Sequence, residues 1–161
     1  MKTIISKHNG KILKEENHNP PPCLCPPEQC PVEGRCENTG VVYQATLKYQ
    51  GDKEDKYVGL TARSFKSRHT EHYRNFQNRN VKNSTTLSRK IWKLQDKNIN
   101  YELKWKILQN AKPYSPGSRH CQLCVAEIHF ILFQPEEASL NDRSEIMGKC
   151  RHSNKFKLIK N

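Results

Sequence analysis

Residues 41 to 72 read VVYQATLKYQGDKEDKYVGLTARSFKSRHTEH, and their periodicity leaves few folds open. Val41 to Tyr49 is rich in β-branched and aromatic side chains, which predicts a strand. Gln50-Gly51-Asp52 supplies a turn, and Lys56 to Thr61 returns as a second strand. Ser64 then stands where a helix needs an N-cap, and in that helix Arg68 and His72 share one face at i and i+4. An antiparallel hairpin feeding a helix brings Tyr43 and Tyr57, on adjacent strands, to the same end as Arg68 and His72. Two phenols, a guanidinium and an imidazole in one cluster suit phosphodiester chemistry.

The remaining elements can be read in order. Phe65 and Phe76 face the sheet, with Arg68 and His72 at its edge. Residues 78–84 form a polar loop. Thr85 or Thr86 caps a second helix with Leu87, Ile91 and Leu94 as its apolar stripe and Trp92 in the core. Tyr101, Leu103, Trp105 and Ile107 alternate with Glu102, Lys104 and Lys106, as in a third strand with one apolar face. The run Lys112 to Gly117 is a loop. A helix from about Arg119 to Phe133, closed by Pro135, is apolar nearly all round and should be buried. Glu127 sits in its middle, and a carboxylate there must meet a cation or a metal. The fold class expected is α/β of the α+β kind: a small three-stranded antiparallel sheet flanked by helices, carrying an N-terminal cysteine-rich arm. Residues 1–22 form a connector and proline-rich linker, 23–37 the cysteine-rich knuckle, and 38–161 the main domain.

Seven cysteines, an odd number, in a chain without a signal-peptide pattern favour metal ligation over disulfides. Cys23, Cys25, Cys30 and Cys36 are interleaved with Pro26, Pro27, Pro31 and Gly34, and the stretch is too poor in apolar residues to build a core. Four thiolates around a tetrahedral Zn²⁺ would supply the missing order, as a structural knuckle. Cys121 and Cys124, with Cys150 and His152, make a second candidate zinc set that ties the tail to the helix bearing Glu127; His120 is an alternative to His152.

Lys and Arg number 28 against 16 Asp and Glu, a net charge of +12. Residues 1–37 hold five of each sign, so the excess lies in 38–161, and 63–97 alone carries ten basic residues against two acidic. A stripe of that density on two neighbouring helices is the footprint of a polyanion binder, with Lys66, Arg74, Arg89, Lys90 and Lys93 as the expected nucleic-acid contacts. No stretch approaches the ~20 apolar residues of a membrane span, which leads us to expect a soluble intracellular protein with no membrane partner.

VVY at 41–43, YVG at 57–59, Arg68 and then His72 resemble the core of the GIY-YIG nucleases, with Val41 in place of the first glycine and Val58 in place of isoleucine. STTLSRKIWKLQDKNINYELKWKIL (84–108), CQLCVAE (121–127), LNDRSEIMGKCRHSNKFKL (140–158), the cysteine array and the opening IISKHNGKIL extend the likeness. Together they resemble the endonuclease domain of Penelope-like retroelements over nearly the whole chain. The resemblance implies a DNA endonuclease with one Mg²⁺ or Mn²⁺ on Glu127. Tyr43 would accept the proton of the attacking water, its phenol pKa lowered by the metal and nearby cations. Tyr57 would orient the water or a phosphate, Arg68 would stabilise the phosphorane, and His72 would assist proton movement. Asn141 would help to position the site, its other reading being a simple helix cap. Glu145 competes for the metal-ligand role but is expected in a surface ion pair. The implied biology is nuclear nicking of target DNA to prime reverse transcription, with the element's reverse-transcriptase portion as a partner in cis. Residues 1–14 resemble the end of that portion. Two other readings fit: a zinc-stabilised nucleic-acid binder that does not cleave, and a GIY-YIG repair or junction nuclease.

Overall fold

β1 (Thr39–Tyr49) is the central strand, hydrogen-bonded antiparallel to β2 (Lys53–Ser64) on one side and β3 (Tyr101–Asn110) on the other, in the order β2-β1-β3. The computed structural model describes residues 3–5, 20–146 and 148–157; most of the 1–22 connector lies outside them. All three strands run beyond the expected bounds because pairing continues into their flanks, from Tyr49↔Lys53 to Thr39↔Ser64 and from Tyr49↔Tyr101 to Val41↔Asn110. The hairpin turns through Gln50 and Gly51, both in the left-handed region (φ 48° and 76°), which Gly51 enters without a Cβ penalty.

Alternation along β1 builds two apolar layers. Val41, Tyr43, Ala45 and Leu47 point to one face, where α1 (Phe65–Gln77) and α2 (Thr86–Asp96) cover them with Phe65, Phe76, Leu87, Ile91 and Leu94. Val42 points to the other face and meets α3 (Gln122–Phe133) through Leu123, Ala126 and Ile131. Ser64 caps α1 by accepting from the Ser67 N–H at 3.3 Å, and Thr85 caps α2 by accepting from the Ser88 N–H at 3.0 Å. Such caps contribute about 1 kcal/mol each. Lys90 locks α2 onto the hairpin, donating to the Tyr49 hydroxyl at 2.7 Å and pairing with Asp55 at 2.8 Å. A short helix α4 (Arg143–Ile146) follows α3.

Three expectations need correction. α3 begins at Gln122, whose N–H bonds Pro113 O at 2.7 Å, so the preceding residues stay in the loop. It is buried on one side only: Val125, Leu132 and Phe133 are 56%, 46% and 73% exposed, because a single sheet face is all it packs against. Trp92 is half-buried; its indole N–H donates to Asn75 O and its ring carries the Arg79 guanidinium at 5.2 Å.

The cysteine-rich arm is part of this architecture. Val32 and Cys36 are buried in the same cluster as Phe65. The Asn38 and Cys36 carbonyls accept from the first N–H groups of α1, Phe65 at 3.0 Å and Lys66 at 2.7 Å, satisfying donors a helix start otherwise leaves open. Lys66 also pairs with Glu37 at 3.3 Å. No helix among the described residues is long and apolar enough to cross a membrane.

Candidate active site

Strand pairing sets the positions of the two tyrosines. Tyr43 lies opposite Gly59 and Ala45 opposite Tyr57, so both rings rise from the α1 face of the sheet, one strand apart. Gly59 is what lets them sit there. A Cβ at this position would stand 2.6 Å from the Tyr43 hydroxyl oxygen, 2.8 Å from its Cζ and 3.0 Å from Tyr57 Cε1. α1 then brings its polar side chains onto the rings. Arg68 Nε donates to the Tyr43 oxygen at 3.0 Å, and His72 Nε2 lies 2.7 Å from the same oxygen.

The protonation pattern follows from those partners. Guanidinium has no acceptor, so the Tyr43 hydroxyl proton can go only to His72 Nε2, which places the imidazole proton on Nδ1. His72 Nδ1 is buried without a partner. Burial, then the Arg68 charge, pushes the His72 pKa down to about 3, so the ring is neutral at physiological pH. His72 is fully buried and not at the sheet edge as expected, because Tyr43, Tyr57, Phe76 and Trp105 enclose its ring. It accepts the Tyr43 hydrogen bond but is too weak a base to take the phenol proton, and being neutral it cannot serve as an acid. Burial pushes the Tyr43 phenol up to about 12, with Arg68 opposing and Glu127 reinforcing. Burial and then Tyr43 raise Tyr57 well above its ordinary value.

β2 is an edge strand, and a concavity of about 900 Å³ opens along it. Tyr57, Arg68, Glu127 and Glu145 share its wall, so side chains from both faces of the sheet converge around one edge. Tyr43 is fully buried and contributes no surface to that wall. Its contact is with Arg68, so in this conformation it orients the guanidinium and does not face an attacking water. Arg68 is also gripped by Glu71 at 2.7 Å, and Arg63 by the same carboxylate at 2.8 Å. Although burial opposes it, the two arginines hold the Glu71 pKa below the ordinary carboxylate range.

Glu127 makes no hydrogen bond or ion pair among the described residues. Burial, then the charge of Glu145, pushes its pKa up to about 7, against the pull of Arg68. A carboxylate so placed has oxygen lone pairs facing the cleft and no partner among the described residues, which is the donor chemistry a hard divalent cation takes. Among the described residues Glu145 is not in the surface ion pair expected of it. It accepts from Thr86 Oγ1 at 3.1 Å and Asn141 Nδ2 at 2.9 Å and turns its charge toward Glu127. Among the described residues Asn141 is not the helix cap of its other reading: its Oδ1 accepts from the Val58 N–H at 2.7 Å and its Nδ2 donates to Val58 O at 2.8 Å. The side-chain amide thereby pairs with the open edge of β2 between Tyr57 and Gly59. Glu71 had no distinct sequence signal beyond being an i+3 acid after Arg68, and the pair of hydrogen bonds from Asn141 to Val58 had none.

The second cysteine set assembles whole, whereas the first does so in three of its four members, with Cys25 outside the group. Cys23, Cys30 and Cys36 can each offer a ligand atom to one ion, and Cys25 Sγ lies 3.7 Å from Cys36 Sγ. Cys23 Sγ is 3.7 Å from Cys30 Sγ and 3.2 Å from Cys36 Sγ. A tetrahedron of 2.3 Å Zn–S bonds has S···S edges of about 3.8 Å, so the set fits an ion such as zinc. At the start of α3, His152 Nδ1 stands 3.4 Å from the sulfurs of Cys121, Cys124 and Cys150. The corresponding N···S edge of a zinc tetrahedron is about 3.5 Å. His152, and not His120, completes this set.

Of the five expected nucleic-acid contacts, Arg74, Arg89 and Lys93 are exposed and make no ion pair among the described residues. Lys90 is spent on Asp55 and Tyr49, and Lys66 on Glu37. No protein-family model, curated protein or solved structure matches the chain.

Proposed function

We propose that this protein is a divalent-metal-dependent DNA endonuclease of the GIY-YIG type, hydrolysing one phosphodiester bond of target DNA. The observation that carries the reading is Glu127: an acid with no partner among the described residues, facing a cleft it shares with Arg68 and Tyr57. A Mg²⁺ or Mn²⁺ ion on Glu127 would supply Lewis acidity to the scissile phosphate. Arg68, fixed at Nε by Tyr43 and at Nη1 by Glu71, presents its remaining donors to charge developing on the phosphorane. Tyr57 reaches the cleft and orients water or a phosphate oxygen. Asn141 holds the backbone on which Tyr57 rides, and His72 takes the Tyr43 hydrogen bond that keeps Arg68 aimed. The Zn²⁺ ions are structural. In this reading the enzyme works in the nucleus on behalf of a Penelope-like element, leaving a 3′ hydroxyl for its reverse transcriptase.

The test is nicking of supercoiled plasmid with Mg²⁺ or Mn²⁺ beside Glu127→Gln and Arg68→Ala. Removal of either group should cost about 10²-fold or more in rate. One observation favours a second reading, a zinc-stabilised DNA binder without hydrolysis: the buried, weakly acidic Tyr43 lies off the cleft wall. Plasmid that binds and stays supercoiled under every divalent metal would select that reading.

A further inference from the structure

The cleft that holds Glu127 has a wall the reaction described above does not use. Lys149 and Arg151 line it, on either side of Cys150. Both are exposed, and neither makes an ion pair among the described residues. The other two cations on the wall, Arg63 and Arg68, are both held by Glu71. A phosphate backbone entering the cleft therefore meets two uncommitted positive charges, and they sit on the tail. What keeps the tail there is the second cysteine–histidine set. Cys150 and His152 come from the tail, Cys121 and Cys124 from the start of α3, and Glu127 follows Cys124 by one helical turn on the same helix.

We infer that residues 149–152 form the phosphate-binding wall of the cleft, and that the ion bound by Cys121, Cys124, Cys150 and His152 fixes this wall against the helix that carries Glu127. The ligand is the backbone of double-stranded DNA, recognised through charge and not sequence. The inference rests on the endonuclease reading for its substrate class, but its consequence is a binding property. A tail residue pair placed by a metal gives a rigid contact, whereas the same two cations on a free chain end would lose most of their orientation on binding. In the metal-bound arrangement Lys149 and Arg151 act together with Arg68 across the cleft, so that a duplex is gripped on both sides of the bond to be cut.

The experiment measures binding of a short duplex across a series of salt concentrations, in the full chain carrying Glu127→Gln so that no cleavage intervenes. Each phosphate contact contributes about 0.9 to the slope of log affinity against log salt. Lys149→Ala/Arg151→Ala should flatten that slope by about 1.8, while a charge-matched pair away from the cleft, Lys53→Ala/Lys104→Ala, should leave it near the parent value. Cys150→Ala/His152→Ala keeps both cations but should lose one equivalent of bound zinc and weaken binding in the same direction. A slope for Lys149→Ala/Arg151→Ala equal to that of the control pair overturns the inference, as does full binding by the Cys150→Ala/His152→Ala chain after zinc loss. Absence of nicking by the unmutated chain, with the slopes as expected, would instead refute hydrolysis and leave the binding wall standing.

Discussion

Replacing Gly59 by alanine is the smallest change that should disable the site without removing any polar group. Gly59 has no unusual φ, so its requirement is space. The added Cβ would stand 2.6 Å from the Tyr43 oxygen and 2.8 Å from Cζ, against the ~3.5–4.0 Å of comfortable carbon contact. The Tyr43 ring would have to retreat by about 1 Å. It has nowhere to go: Phe65 packs on it at 5.3 Å between centroids, Trp105 at 5.9 Å and His72 at 5.8 Å. Overpacking of this kind costs about 1–3 kcal/mol. A displaced hydroxyl also loses its geometry with Arg68 and His72, adding about 1–3 kcal/mol, while stiffening of the unfolded chain returns only about 0.4–1 kcal/mol. The net expectation is a loss of roughly 2–4 kcal/mol. Urea unfolding reads it as a lower midpoint at constant m-value. A double-mutant cycle with Tyr43→Phe, which removes the closest atom, should show coupling well above the ~0.5 kcal/mol of independent sites. An unchanged midpoint for Gly59→Ala, or strictly additive losses in the cycle, would refute the packing argument.

Glu127→Gln should stabilise the metal-free protein at neutral and alkaline pH. Its folded pKa, about 7, lies above the ordinary 4.5, so wild-type stability is greatest below 4.5 and falls as pH rises toward 7; the variant escapes that fall. At about 1.4 kcal/mol per tenfold change in proton affinity the gain is capped near 3 kcal/mol, and parallel stability–pH curves for the two proteins would contradict it. Mn²⁺ affinity of the wild type should drop about tenfold per pH unit below 7, as the proton competes for the carboxylate; calorimetry across pH checks this. Asn141→Ala strips the Val58 N–H and C=O of their side-chain partner, and should cost about 1–3 kcal/mol in denaturant stability together with a fall in nicking rate. Elemental analysis should find two zinc equivalents per chain, and chelation should lower the unfolding midpoint of wild type more than that of Cys36→Ser.

The hairpin, the helix after it and the three-stranded sheet were legible because β1 is rich in β-branched and aromatic side chains, β3 alternates cleanly and Ser64 offers an unambiguous cap. The ligand sets were legible because thiols at short spacing in a core-poor stretch have few other uses. What sequence periodicity missed came from packing partners far along the chain. α3 reads as apolar on every side, yet the three-stranded sheet gives it a single face, leaving Val125 and Phe133 in solvent. His72 looks like an edge residue on a helical wheel, but Trp105, contributed by a strand thirty-odd residues later, closes over it. Lys66 and Lys90 belong to a basic stripe by composition, while Glu37 and Asp55, carboxylates presented by the arm and the hairpin, neutralise them locally. Charge counted along a sequence includes cations that the fold has already assigned to structure.

The two clusters that could each hold a metal ion make sense together. α1 carries Arg68 and His72, α3 carries Glu127, and each helix begins at a cysteine cluster: Cys36 hands its carbonyl to the Lys66 N–H, while Cys121 and Cys124 sit at the first turn of α3. The concavity lies at a sheet edge, where strand pairing no longer fixes side chains and only helix placement can. A helix held at its start by a metal tetrahedron is constrained about one turn before its functional residue, close enough to limit the swing of a side chain to a small fraction of its length. The central tyrosines need no such help, since Tyr43 is locked by Gly59, Phe65 and Trp105 inside the sheet. With an ion in each cluster, rigid rings in the middle and metal-held helices at the rim would place the burden of ordering on ions wherever the apolar core is too thin to carry it. Loss of either ion should therefore loosen the cleft before it unfolds the sheet.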